Sequence, residues 1–226
     1  MSESLESRLE KLQQKRIELE KRIKSLPVSL KQLKHYLLLK KDYGCESVRV
    51  IKTYDDYYEQ SYEQRVRILQ VPNLDTMVLC KTILLKNTKF NEELSEDQFY
   101  PRFVGVIIQY RTKMHSGKLA DVMKQYQNDN TSMTKASKKL FHWRLAEESE
   151  NKEITHCEYN GVTPFEWDHE IYGRIPIVLS KNILKLDHQI FYLGAGEFNT
   201  KMCISVDDFK KYHGDNLLIG DIIYEE

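Results

Sequence analysis

The stretch 74–86, LDTMVLCKTILLK, limits what this chain can become more than any other part of it. Its apolar residues point to both faces, so it reads as a central strand that must be covered above and below. RFVGVIIQY (102–110) reads as a second buried strand, and SVRVIKT (47–53) as a third. RIPIVLS, QIFYLG and MCISV add short strands late in the chain. Helical patterns lie between them: VSLKQLKHYLLLKKDYG (28–44) closed by Gly44, the tyrosine-rich YDDYYEQSYEQRVRILQ (54–70), SGKLADVMKQYQ (116–127), SMTKASKKLFHWRLAEES (132–149) and VDDFKKYHG (206–214). NDNT (128–131) reads as a turn between two of them. Clustered strands with interspersed helices predict an α+β domain over 28–226.

Residues 1–26 are of another kind. Leu5, Leu9, Leu12, Leu19, Ile23 and Leu26 recur at alternating spacings of four and three, and only Arg16 interrupts the seam. This is a short heptad pattern, which Pro27 ends. Such a helix either packs on its own domain, pairs with a second copy in a homodimer, or docks on a partner.

Composition narrows the function classes. Lys plus Arg equals Asp plus Glu at 34 each, so no overall positive field advertises nucleic acid; a local basic patch would be required. No apolar run approaches the roughly 18 residues of a membrane helix, and the charged N-terminus lacks a signal-peptide core. The scattered Cys45, Cys80, Cys157 and Cys203 argue against disulfides and structural zinc, and for a cytoplasmic setting.

Three features could carry chemistry. Period-two alternation places Met77, Leu79, Lys81, Ile83 and Leu85 on one face of the central strand. A lysine there either snorkels at the strand end or points into a pocket, because burying an unpaired ammonium costs several kcal/mol. The second feature is NGVTPF (160–165): Gly161 is free to take positive φ, while Pro164 restricts its own φ and extends Thr163. Such a stiff segment offers backbone N–H groups at 161–163 as an oxyanion cradle; it also reads as an ordinary turn. The third is YLGAGEF (192–198), a Gly194-x-Gly196-Glu197 turn between strands, without the helix that a dinucleotide or P-loop site needs. The histidines show no metal-ligand spacing and no G-x-S-x-G elbow occurs, so hydrolysis here is expected to use neither metal, cofactor nor Ser–His triad.

In order, VLCKTILL, RLAEESENKEITHCEYNGVTPF, IPIVLSKNIL and FYLGAGEFNTKMCISVDDF resemble the YbaK/prolyl-tRNA synthetase-associated editing-domain family, most closely its eukaryotic branch. The resemblance spans roughly 30–215 and implies a compact domain with a mixed, barrel-like sheet. It implies an aminoacyl-tRNA deacylase acting on misacylated tRNA, with Ala- or Cys-tRNA(Pro) the common substrates. The alternative it leaves is a non-catalytic module binding tRNA or a synthetase in a multi-synthetase complex, with the N-terminal helix as the docking element. Lys81 matches the family's essential strand lysine. The loop ending Asn160, Gly161, Val162, Thr163, Pro164 matches the segment that positions the aminoacyl carbonyl, with Gly194, Gly196 and Glu197 beside it. Three departures stand out: Asn160 where the loop often opens on glycine, the insertion TKMHSGKLADVMKQYQNDNTS, and the heptad helix.

Overall fold

A computed structural model describes residues 5–24, 29–94, 99–130, 137–169 and 173–224. Helix α1 (Leu5–Lys24) comes first; the proposed stop at Pro27 and the last seam position, Leu26, lie outside the described residues. Ser29 then opens α2 (Leu30–Leu37) with a capping box, accepting from the Gln32 N–H while the Gln32 side chain accepts from its own. The helix widens into a π turn, Leu38–Asp42, and Gly44 at φ 60° leaves it as expected of a left-handed terminator.

Among the described residues eight strands form two sheets. β1 (Arg49–Lys52), β7 (Thr200–Ser205) and β6 (Ile190–Gly194) make an antiparallel sheet in the order β1-β7-β6. The larger sheet runs β4 (Trp143–Leu145), β2 (Cys80–Asn87), β3 (Phe103–Gln109), β5 (Ile177–Ser180), β8 (Leu217–Gly220). β2 pairs antiparallel with β3 and β4, whereas β5 lies parallel to both β3 and β8. The sheet is therefore mixed, as expected. It does not close into a barrel: among the described residues a Leu79–Tyr192 bridge joins the two sheets edge to edge.

The two-sided burial expected of the central strands is present, and it divides the interior into two cores. On β3, Phe103 and Ile107 enter the larger core while Val104, Val106 and Ile108 face the smaller one. The smaller core is roofed by α4 (Ser116–Asn130) through Leu119, Ala120, Met123 and Tyr126. α3 (Tyr62–Ile68), α5 (Glu148–Thr155) and α6 (Val206–His213) are the other named α-helices among the described residues.

Three local expectations are corrected. The shared face of Met77, Leu79 and Lys81 does not exist: a tight turn at Thr76–Val78 precedes β2, so Met77 and Leu79 join the larger core, while Ile83 and Leu85 join the smaller. α4 continues through Asn128–Asn130, where a turn is expected, with the Asn130 amide donating to the Tyr126 carbonyl. Trp143–Leu145 is strand rather than helix, because Phe141 and Trp143 are needed in the smaller core and β2 offers an open edge. β8 carries no sequence expectation at all.

Candidate active site

Lys81 stands second on β2, directly opposite Ile108. Leu85, further along, is buried under the α4 layer, but Lys81 and Ile83 are only half covered. Its ammonium has no hydrogen bond or ion pair with any other described residue, and burial pushes its pKa down. The side chain lines a cavity of about 350 Å³, at the small end of the range for small-molecule sites. Of the two openings left by the strand pattern, snorkelling or pocket, the geometry matches the pocket.

Asn160, Val162 and Gly194 line the same cavity, so the structure brings together residues from three distant segments. Asn160 takes the left-handed conformation, φ 61°, which asparagine tolerates better than most residues. Gly161 does not use the positive φ open to it. Its role is steric: a Cβ there would lie 2.6 Å from the Glu197 backbone, and one on Gly194 would lie 2.6 Å from the Val162 carbonyl oxygen. The 160–164 loop and the 194–197 turn thus stack backbone on backbone, which only glycine at both contact points permits.

The loop is held carbonyl by carbonyl. The Tyr58 hydroxyl donates to Asn160 O. Gly196 N–H, from a residue at φ 94°, donates to Gly161 O at 2.7 Å. Trp167 Nε1 donates to Thr163 O at 2.6 Å. Gly105 on β3 makes room for that indole, since a Cβ there would lie 2.5 Å from its ring. Beyond buried Pro164, Phe165 anchors the segment among Phe209, Tyr212 and His213. The expected cradle of three amides contracts, because Gly161 N–H donates to Glu158 O and Thr163 lies behind the cavity. Val162 and Thr163 N–H make no hydrogen bond with described residues. Trans peptide geometry aims Val162 N–H away from the Gly161 carbonyl and hence away from the glycine turn.

Thr163, Pro164, Gly196 and Glu197 form the support behind the cavity rather than its lining. The Glu197 carboxylate accepts from Gln32 Nε2 at 2.7 Å, tying the turn to the cap of α2. Glu148, Asn151 and Tyr110 line the cavity without having been singled out in the sequence.

A second group was also illegible. Lys201, on β7, is 3% exposed and donates to Tyr58 OH at 2.8 Å and Phe198 O at 3.1 Å. Its ammonium also lies over the Tyr58 ring, 4.5 Å from the centroid. Arg65 on α3 packs against the rings of Tyr57, Tyr58, Tyr62 and Tyr110. This accounts for Tyr57, Tyr58 and Tyr62 of the tyrosine-rich segment 54–70: with Tyr110 their rings surround a buried guanidinium, and Tyr58 also holds the candidate loop.

Burial, then the nearby Arg65 charge, brings Lys201 down to about 7. The unfolded chain holds this proton to about 10.4, so between those values it binds more protons than the native state. Stability should therefore rise with pH from about 7 towards 10. Urea unfolding at intervals across that window should show the rise in the wild type, and Lys201→Met should flatten it. An identical slope in both would remove Lys201 as its source.

No protein-family model matches this chain, and no curated sequence is significantly similar to it. Solved structures do match. A proposed trans-editing enzyme for prolyl tRNA synthetase superposes with a TM-score of 0.61 at 11% identity, over 88% of this chain and 99% of that one. The chain has a YbaK-like fold. A scaffold protein used for epitope backbone grafting gives 0.59 at 9% identity, over 88% and 100% of the two chains. A hypothetical protein gives 0.56 at 14%, over 85% and 99%. Identities this low establish a common YbaK-like architecture and leave the activity to be argued from the site.

Among the described residues no group of three His, Cys, Asp or Glu side chains is arranged to hold a metal ion, and no helix is long and apolar enough to cross a membrane.

Proposed function

We propose that the protein is an aminoacyl-tRNA deacylase, a trans-editing hydrolase acting on misacylated tRNA of the Ala- or Cys-tRNA(Pro) kind. The observation that carries this reading is the half-buried Lys81 ammonium, without a protein partner, in a cavity edged by Asn160 and Val162 of a rigidly held loop. In this reading Lys81 binds the terminal phosphate or ribose of the acceptor end. The Val162 amide receives the ester carbonyl. Water attacks the carbonyl carbon and gives up a proton; the bond to the ribose oxygen breaks, and that oxygen takes the proton and leaves as the ribose hydroxyl, freeing the amino acid. No protein nucleophile is needed, because positioning alone accounts for several kcal/mol of barrier lowering.

Pro164→Ala separates this from the alternative, a tRNA- or synthetase-binding module without catalysis. The substitution loosens the loop and removes no reacting group. Single-turnover hydrolysis should fall on the order of a hundredfold, the cost of about 1 Å of misplacement. Affinity for the tRNA body, measured at matched salt, should hardly change, because phosphate contacts dominate it. A parallel loss of both, or of neither, would count against a loop-positioned ester.

A further inference from the structure

Helix α1 leaves its apolar seam open: Leu9 is 58% exposed and Leu12 65%. The heptad register puts Leu9 and Arg16 at a and Leu12 at d, with Leu5, Leu19 and Ile23 continuing the seam in sequence. The g positions, each just before an a, are Arg8, Lys15 and Arg22. The e positions, each just after a d, are Glu6, Gln13 and Glu20. One flank of the seam is thus entirely basic, and the other is acidic or neutral.

In a parallel pair, g of one helix faces e of the other five residues on, which sets Lys15 against Glu20 and Arg8 against Gln13. In an antiparallel pair g faces g and e faces e, setting Arg8, Lys15 and Arg22 against one another. From this we infer that α1 is a dimerisation element that pairs in parallel with α1 of a second copy. The pattern is complementary to itself, so the occupant it selects is another molecule of the same chain. A charged residue at one a position restricts register and oligomer number at some expense of stability, the role Arg16 takes here. A helix of 20 residues spans only about three heptads, so the dimer forms at micromolar rather than nanomolar concentrations.

Sedimentation equilibrium of the full chain over about 1–500 µM tests this. The expected result is a concentration-dependent rise from the 26.9 kDa monomer to twice that mass. Arg16→Leu should tighten the dimer at least about tenfold, by completing the seam. Leu9→Glu with Leu12→Glu should hold the chain monomeric, with its circular dichroism melt unchanged. Orientation is read separately: Leu9→Cys should form an intermolecular disulfide under mild oxidation, because equivalent a positions meet only in the parallel register. A monomer at every concentration would overturn the inference. So would an Arg16→Leu chain no tighter than wild type, or a dimer whose Leu9→Cys form does not crosslink.

Discussion

Lys81→Ala is expected to abolish ester hydrolysis while leaving the protein as stable as the wild type. Removal of a single preorganised electrostatic contact from an active site costs about 10²–10³ in rate. Loss is expected at or beyond the upper end, since among the described residues the ammonium is the one cation lining the cavity. Stability should hold because the ammonium makes no protein contact that alanine would forfeit, and its partial burial disfavours the charge. Single-turnover assays and thermal melts of the two proteins measure both halves. An unfolded Lys81→Ala chain would make the residue structural, and an unimpaired one would place it outside the chemistry. Lys81→Arg keeps the charge and changes its shape, so a partial rate would indicate that geometry as well as charge is used.

Gly194→Ala should damage both properties together. The added methyl meets the Val162 carbonyl oxygen at 2.6 Å and the Gly161 carbonyl carbon at 2.7 Å, and neither atom can rotate away as a side chain would. The loop must lift off the turn, at a cost in the range of about 1–3 kcal/mol typical of overpacking. At this size each kcal/mol lowers the midpoint by about 2–4 °C. Hydrolysis should fall on the order of a hundredfold or more, because the displaced segment carries the Val162 amide. Gly161→Ala, which meets the Glu197 backbone from the other side, should reproduce both effects. A Gly194→Ala protein with normal melting and normal rate would show that the stacked backbones do not hold the loop.

These two residues also show what a sequence exposes and what it conceals. Lys81 was legible because a charge inside an apolar strand is costly and needs a reason. The loop was legible because glycine and proline restrict the backbone locally, whatever surrounds them. Within the loop the sequence leaves the positive φ open to either residue; Asn160 adopts it, and Gly161 is required by the closeness of Glu197. That closeness belongs to the tertiary fold. Tyr58 and Lys201 were hidden for the same reason, since the Tyr58–Lys201 and Tyr58–Asn160 contacts join residues more than 100 positions apart. β4 was misread because three residues carry too little periodicity to outweigh a helical composition, and its pairing with β2 decides the matter. The α+β class needed none of this detail, for it follows from two apolar runs that must be covered on both faces.

In the proposed function the cavity between Lys81 and the 160–164 loop hydrolyses an aminoacyl ester. The most direct test is single-turnover deacylation of a panel of mischarged tRNAs, Ala- and Cys-tRNA(Pro) among them, by the full chain and by Lys81→Ala at equal concentration. At least one mischarged species should be cleaved well above its spontaneous rate, correctly charged Pro-tRNA(Pro) should survive, and Lys81→Ala should lose the activity. Binding of the tRNAs without cleavage of any ester, or cleavage that persists undiminished in Lys81→Ala, would contradict the proposed function.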